Sequence, residues 1–396
     1  MRHDGGNLRD QQFSLLRKAH TQPLANRTNT MKEIFEPLLI SQRIPRMLRF
    51  IQPKPKNAFV RIFQMIQSSR IIAFVSYAVA LSSLTSLLWY KVEETQLHSS
   101  LFFCILYIGG PDLIYQWVYQ RAKVCSLLED CASIAEKLEV RATEKQLLRM
   151  RRRTYVLRGI VLALCVDASL TVLFYHLYVM QHEGSVLVVP YLPKNSIYMY
   201  VMRFLQWPLL TAAPSMYLVF YSTYLELNLY LTALFKVLGE NLLNARTREV
   251  LNPLVDIHQS LMVTSRSLER IFSRLWANLI ASFAAMAIWI SYIVLLAGSA
   301  EAMYVIIVGS VLVLLFIPCA LSELLSESCM SVGEQAYKNA WLDWPPDMRK
   351  DLVLMILSSQ KPAYITAGIF GQMVLSEYLA ILKRWYTMVQ ALLSIH

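Results

Sequence analysis

Apolar residues along this chain are gathered into blocks of about 20, separated by stretches in which charged residues return. The first block, Ile71 to Tyr90, carries no charge at all. Others run from Leu101 to Tyr119, Gly159 to Met180, Tyr200 to Leu225, Ala277 to Gly298 and Tyr304 to Leu325, and a last one from Ala363 to His396. A helix rises 1.5 Å per residue, so about 20 residues cross about 30 Å of hydrocarbon. The pattern predicts an all-α membrane protein with seven transmembrane helices. The final stretch of 34 residues would be about 51 Å long as one helix, which exceeds the hydrocarbon thickness. It is expected to divide, with the part from about Glu377 crossing the membrane.

The polar stretches are patterned too. Between Arg43 and Arg70, Phe59, Val60, Ile62, Phe63 and Ile66 recur at helical spacing among basic residues. That fits a helix lying on the membrane surface and equally an ordinary packed helix. From Cys125 to Leu148 and from Val255 to Leu275, apolar positions recur every three or four residues among charges. These read as amphipathic helices that prolong spans beyond the membrane. The expected organisation is an N-terminal segment over 1–70, six spans with their extensions over 71–325, an anchor region over 326–376 and the crossing half of the last helix over 377–396. No internal repeat of the kind found in transporters with inverted halves is present.

Composition strengthens the membrane reading. The chain is 56% hydrophobic and 16% charged, with mean hydropathy +0.40. Its net charge of +11 would suit nucleic acid, but the distribution points to topology instead. Of 38 Lys and Arg, 33 fall in four segments, 1–70, 120–158, 227–275 and 326–361. The alternate connections hold only Lys91, Lys194 and Arg203. The basic segments are therefore expected in the cytoplasm, with the N-terminus inside and the C-terminus outside. The first block follows about 70 mixed residues, so the first span, not a cleaved leader, is expected to direct insertion. The triplet Asn26-Arg27-Thr28 fits a glycosylation acceptor and opposes this orientation, but such triplets arise by chance. Cys104, Cys165 and Cys319 fall in spans and Cys125, Cys131 and Cys329 in cytoplasmic connections, which leaves no external disulfide.

No nucleophile elbow, HExxH helix, Walker loop or dinucleotide fingerprint occurs, so neither an enzyme nor a cofactor is expected. Asp167 and His176 share a span but lie about 13 Å apart along it. Charges within spans are costly, by about 2.5 to 3.5 kcal/mol each at the centre, so Asp112, Asp167, Lys383 and Arg384 must face protein or water. Asp112, after Pro111, reads as a hydrogen-bonding group at a kink; Asp167 suits a structural contact or a ligand pocket equally; Lys383 and Arg384 suit a water-filled vestibule. Phe103 and Tyr107 share a face of the second span, and Phe204, Trp207 and Thr211 share one on the fourth. The third span presents Ser169, Val172 and His176 together with Tyr175 adjacent, and the sixth begins with Tyr304. Singly, each is better explained by packing or lipid contact than by a ligand.

The region from Tyr337 carries the Tyr337 and Trp341 pair, Pro345, the basic turn Arg349-Lys350, Ser359-Gln360-Lys361-Pro362, Thr366-Ala367-Gly368 and the acidic Glu377. In this order the elements resemble the carboxy-terminal signature of insect odorant receptors, over the last 60 residues. Seven spans with the N-terminus inside extend the resemblance over the chain. It implies a ligand-gated non-selective cation channel in the plasma membrane of olfactory neurons, in which a tuning subunit assembles with a shared co-receptor as a heterotetramer. No G protein and no nucleic acid would be required; the partners would be the co-receptor, a small volatile odorant and membrane lipid. This chain resembles a tuning member because it lacks the co-receptor's extra length of cytoplasmic loop.

The resemblance also implies an odorant pocket in the outer half, among the second, third, fourth and sixth spans. That makes Phe103, Tyr107, Ser169, Val172, Tyr175, His176, Phe204, Trp207, Thr211 and Tyr304 the expected ligand contacts. It implies a pore lined by the last helix, with Val389, Gln390 and Leu393 facing the lumen. The segment Trp385-Tyr386-Thr387 departs from the family's pattern, which leaves Leu392 with His396 as a competing register. A G-protein-coupled receptor would need the opposite orientation and an external disulfide, and it lacks its Asp-Arg-Tyr and Asn-Pro-x-x-Tyr motifs here. A gustatory receptor is the nearest alternative, and the carboxy-terminal elements favour the odorant branch.

Overall fold

Helical periodicity in the sequence becomes packed helices in a computed structural model, which describes residues 40–51, 116, 119–152, helical positions between 154 and 170, 197–296, 302–339 and 341–394. Within 197–218 the backbone alone is described. Helix α1 (Ile40–Ile51) buries Ile40, Ile44 and Leu48, one turn apart. The Ser41 hydroxyl and amide both donate to the carboxylate of Glu139, the amide at 3.3 Å, which ties α1 to the next helix. That helix, α2 (119–139), buries Val124, Leu127, Leu128, Cys131, Ile134, Ala135 and Leu138.

The amphipathic pattern from Cys125 to Leu148 is not one helix. The chain turns at 140–143 and resumes as α3 (144–152). The reason is local. The Thr143 amide donates to Gln146 Oε1 at 2.7 Å and the Gln146 amide to Thr143 Oγ1 at 3.4 Å, a reciprocal capping box that starts a new helix. Beyond it Tyr155, Val156, Ile160, Leu162, Val166 and Leu170 are exposed. A water-soluble fold would not leave such a run uncovered, whereas lipid accepts it.

Three long helices form the frame: α4 (Ile197–Leu242, 46 residues), α5 (Arg248–Leu296, 49 residues) and α6 (Ala302–Lys338, 37 residues). At 1.5 Å per residue they extend about 69, 74 and 56 Å, so each projects well beyond about 30 Å of hydrocarbon. Among the described residues one segment, Val308–Lys338, is by length and composition able to cross a membrane. Its most apolar window has mean hydropathy 2.2 and is only 39% buried, unlike the covered core helix of a soluble protein.

Helix α6 packs chiefly on α4. Pro318 interrupts it and removes the amide that would bond the Leu314 carbonyl. The Tyr221 hydroxyl of α4 donates to that carbonyl at 3.0 Å, so the orphaned acceptor is satisfied from the neighbouring helix. At the far end of α6, buried Asn339 donates through Nδ2 to the carbonyls of Leu242 at 2.8 Å and Ala245 at 3.0 Å, closing the turn after α4. Asn339→Ala removes both bonds, leaving the Leu242 carbonyl only the Ala245 amide and the Ala245 carbonyl without this donor, and is expected to destabilise the fold by about 2 kcal/mol. Thermal unfolding of the detergent-solubilised chain checks this, with Asn244→Ala as the exposed comparison.

A short 3₁₀ turn (Trp341–Asp343) follows, stacked on the preceding helix through the Tyr337 and Trp341 rings, whose centroids lie 6.3 Å apart. Pro345 and Pro346 then open α7 (Pro346–Ser359), with Pro346 at the first helical position, where a missing amide costs nothing. It buries Met348, Leu352, Met355 and Ser359 against α5 and α6. The last helix, α8 (Leu375–Ser394), is separated from α7 by fifteen irregular residues, 360–374. Among the described residues the fold is all-α, apart from one isolated bridge between Thr366 and Gln372.

Candidate functional site

The irregular segment between α7 and α8 is held by side chains from two frame helices. Ser359 Oγ lies 3.1 Å from His258 Nε2 of α5, in a fully covered position where α6 comes so close that a Cβ on Gly333 would meet Ser359 Cβ at 3.0 Å. His258 is 1% exposed, and burial lowers its pKa to about 4, so the imidazole is neutral. The Ile365 amide donates to Ser322 Oγ of α6 at 3.2 Å. Thr366 Oγ1 donates to Glu269 Oε1 at 3.1 Å and lies 2.9 Å from Ser273 Oγ, which also accepts from the Gly368 amide at 3.3 Å. Within the segment, Met373 and Ala367 donate their amides to the carbonyls of Ile365 and Gly371, each at 2.8 Å. Gly368 and Gly371 adopt φ of +55° and +83°, where a side chain would be strained.

Helix α8 begins on a further anchor, the Glu323 carboxylate of α6, which accepts the Leu375 amide at 3.0 Å and places a negative charge at the helix N-terminus. One turn on, the Tyr378 hydroxyl donates to the Leu312 carbonyl at 3.3 Å. From there the two faces of α8 diverge. Tyr378, Leu382, Trp385, Val389 and Leu393 turn inward to the subunit, with Val389 4% exposed and Leu393 half-buried. On the opposite side, with Leu379 and Tyr386 exposed beside them, Ser376, Lys383, Thr387, Gln390 and Ser394 are all exposed. Their spacings of seven, four, three and four residues trace one stripe down the helix.

The frame connects this joint to the region of the expected pocket. Phe220, Tyr221 and Tyr224 of α4 surround Trp276 of α5, with ring centroids 5.5, 5.8 and 4.7 Å away. Phe272, one turn before Trp276, meets Phe220 at 5.1 Å and Tyr224 at 5.5 Å. The same α5 face region carries Glu269 and Ser273, which hold Thr366.

Of the expected ligand contacts, Phe204, Trp207 and Thr211 lie on α4 and Tyr304 in the first turn of α6; their backbones are helical and their side chains fall outside the described residues. Phe103, Tyr107, Ser169, Val172, Tyr175 and His176 lie outside the described residues altogether, as do Asp112 and Asp167. Of the three expected pore positions, Gln390 lies on the exposed stripe of α8, and Val389 and Leu393 lie on the inward face. Sequence reading did not single out Trp276, His258, Ser273 or Glu323. Thr366 and Ser359 stood among the carboxy-terminal family elements, but their partners lie 97 and 101 residues away in sequence, beyond any local pattern. Among the described residues no group of His, Cys, Asp or Glu could hold a metal ion. Burial raises the Cys131 thiol to about 12, so it stays protonated and unreactive.

A family model described as 7tm Odorant receptor matches residues 93–386. No match is found among curated proteins. The fold is similar to the solved structure of the insect olfactory receptor OR5 from Machilis hrabei, with TM-score 0.71 and 15% identity over 90% of this chain and 97% of that one. It is equally similar to the same receptor in complex with eugenol, with TM-score 0.71 and 16% identity over 90% and 98%.

Proposed function

This chain belongs to the 7tm odorant receptor family, a family of membrane receptors and not of enzymes, and from that premise we propose that it is the odorant-tuning subunit of a ligand-gated cation channel. The observation that carries the reading is the polar stripe of α8. Ser376, Lys383, Thr387, Gln390 and Ser394 face away from their own subunit along a helix of crossing length. Lipid would penalise that face, with a lysine alone costing about 2.5 to 3.5 kcal/mol at mid-depth. A water-filled lumen shared with neighbouring subunits satisfies it. Gln390 then faces the pore, while Val389 and Leu393 fix the helix from behind.

The pore needs partners, and α7 offers them a surface. Leu354 and Leu357 are exposed on the face opposite its buried stripe, and Tyr337 and Leu342 are exposed beside it. In a heterotetramer with a co-receptor this apolar face is covered by the adjoining subunit. The concentration of Lys and Arg in alternate connections supports a cytoplasmic N-terminus and, with it, a cytosolic position for this face.

The OR5 receptor was solved with eugenol, a small aromatic molecule. For this chain we assign an analogous volatile ligand to the outer half of the bundle, against Phe103, Tyr107, Ser169, Val172, Tyr175, His176, Phe204, Trp207, Thr211 and Tyr304. Burying about 250 Å² of apolar surface yields roughly 6 kcal/mol before association costs, which corresponds to micromolar or weaker potency. Ligand contacts on α4 act on the same rigid helix that packs around Trp276. From there α5 reaches the joint at Thr366 and so the start of α8. A ligand shifts the gate only as far as it binds the open arrangement better than the closed one.

Cysteine substitution in excised patches from cells co-expressing this chain and a co-receptor tests the reading. Odorant is expected to open a cation conductance without nucleotides. A charged thiol reagent should abolish it in Thr387→Cys and Gln390→Cys and leave Trp385→Cys and Val389→Cys unchanged. In the same recordings Trp207→Ala should reorder odorant potencies. Currents that return only with GTP would reject the channel, and reactivity without helical period would remove α8 from the pore lining.

A further inference from the structure

Beside the joint lies an open groove of about 620 Å³ that the gating scheme does not use. Its walls are Glu269, Arg270, Ser273, Arg274 and Asn278 of α5 on one side and Thr366 of the joint on the other, with Ile369 at the rim. Arg270 and Arg274 are one helical turn apart and both exposed, so their guanidinium groups reach the same space. Among the described residues neither makes an ion pair. Glu269 also lines the groove, with one carboxylate oxygen accepting the Thr366 hydroxyl, so two guanidinium groups face a single carboxylate and cations predominate.

The depth of this groove identifies what fills it. The apolar run of α5 begins at Ala277. Arg274 and Arg270 therefore stand about 5 and 10 Å before it along the helix, at and just beyond the headgroup layer of a bilayer. Ile369, at the tip of the glycine-flanked turn, is 93% exposed, although it is a large apolar side chain. Gly368 is packed tightly enough on α5 that a Cβ there would lie 3.1 Å from Ala277 Cβ. Two fork-shaped cations at headgroup depth beside a projecting apolar side chain fit one class of ligand.

We propose that this groove binds an anionic phospholipid whose headgroup carries a phosphate monoester, drawn from the leaflet on the basic side of the membrane. A monoester carries close to two negative charges, which two guanidinium groups neutralise with paired hydrogen bonds. Ser273 and Asn278 add polar atoms within the groove, and Ile369 enters the acyl region. Because the groove includes Thr366 and Ser273, an occupied site braces the segment from which α8 departs. The inner leaflet, where such lipids and basic residues meet, follows from the orientation proposed above. The binding itself is measured in detergent and depends neither on orientation nor on current, so its failure and that of the channel reading are separable.

The test uses the full-length chain in uncharged detergent and a fluorescent dioctanoyl phosphatidylinositol 4,5-bisphosphate, followed by anisotropy. Saturable binding is expected that weakens at least about tenfold in R270Q/R274Q and falls with added salt, while R246Q/K350Q, with the same loss of charge elsewhere, binds as the natural chain does. R270K/R274K keeps the charge but loses the fork and should be intermediate. It carries the test if the glutamine variant fails to elute as a single species. Ile369→Ser should weaken the lipid probe but not free inositol trisphosphate. No saturable binding, or equal binding by R270Q/R274Q, overturns the site. Soluble inositol trisphosphate binding as tightly as the lipid, with Ile369→Ser silent, overturns the lipid assignment.

Discussion

Trp276→Ala is expected to destabilise the receptor by about 3 to 5 kcal/mol, the range for deleting a large buried aromatic whose cavity cannot collapse. The surroundings here are rigid. Trp276 is fully buried, with three aromatic rings of α4 within 5.8 Å of its own, and Phe272 packed below against two of them. Edge and tilted contacts of this kind contribute beyond the area they bury, by about 0.5 to 1.5 kcal/mol per pair. Where this helix enters the membrane, most of the loss comes from missing dispersion contacts, since lipid is as apolar as the protein interior. Val263→Ala, on an exposed face of the same helix, should stay within about 0.5 kcal/mol. Thermal unfolding of both variants in detergent, read by the fraction eluting as a single species, makes the comparison. Equal loss in the two would mean that the cluster does not hold α4 to α5.

Acidification supplies the second large effect. His258 is neutral in the folded chain, with its pKa lowered to about 4 from 6.5 by burial. The unfolded chain, with an ordinary histidine, binds a proton below about pH 6.5 that the folded chain refuses. Stability contributed by the neutral ring is therefore complete above that pH and is lost as pH falls from about 6.5 towards 4, by about 3 kcal/mol at the end of the window. Ser359, its hydrogen-bond partner, has no charge to offset this. His258→Asn should remove the dependence specific to this site. Unfolding measured at about pH 7.5 and about pH 4.5 should show a smaller loss in the variant than in the natural chain, and an identical loss in both would rule the histidine out as its source.

Much of this architecture could be read from sequence because bilayer thickness and helix rise leave few alternatives. Blocks of apolar residues announce spans, and recurrences of three and four announce the extensions over 255–275. The break at 140–143 was missed: Thr143 with Gln146 three residues on is a helix-start signal, but amphipathic periodicity running across it hid the stop. The face of α8 was legible only in part. The expectation sets Val389, Gln390 and Leu393 on the lumen, whereas Gln390 lies with Lys383, Thr387 and Ser394 on the uncovered face and Val389 and Leu393 lie on the inward one. The joint was not legible. Ser359, Thr366 and Leu375 take their meaning from His258, Glu269, Ser273 and Glu323, and nothing local says which residue of one long helix will meet which turn of another. Trp276 likewise reads as one more aromatic at the edge of a span until α4 is laid against it.

The fifteen residues that separate α7 from α8 bear on how such a chain can diversify. A continuous helix would transmit every rotation of its upper half to its lower half, so a change in one would require a matching change in the other. The break, held by hydroxyls and carboxylates of α5 and α6 and not by helical continuity, uncouples twist above from position below. Substitutions that reshape the upper bundle can then accumulate without disturbing the α7 face that we propose for partner subunits. One docking geometry can thus be inherited unchanged by chains with very different chemical preferences, with selection acting on the two halves at separate rates.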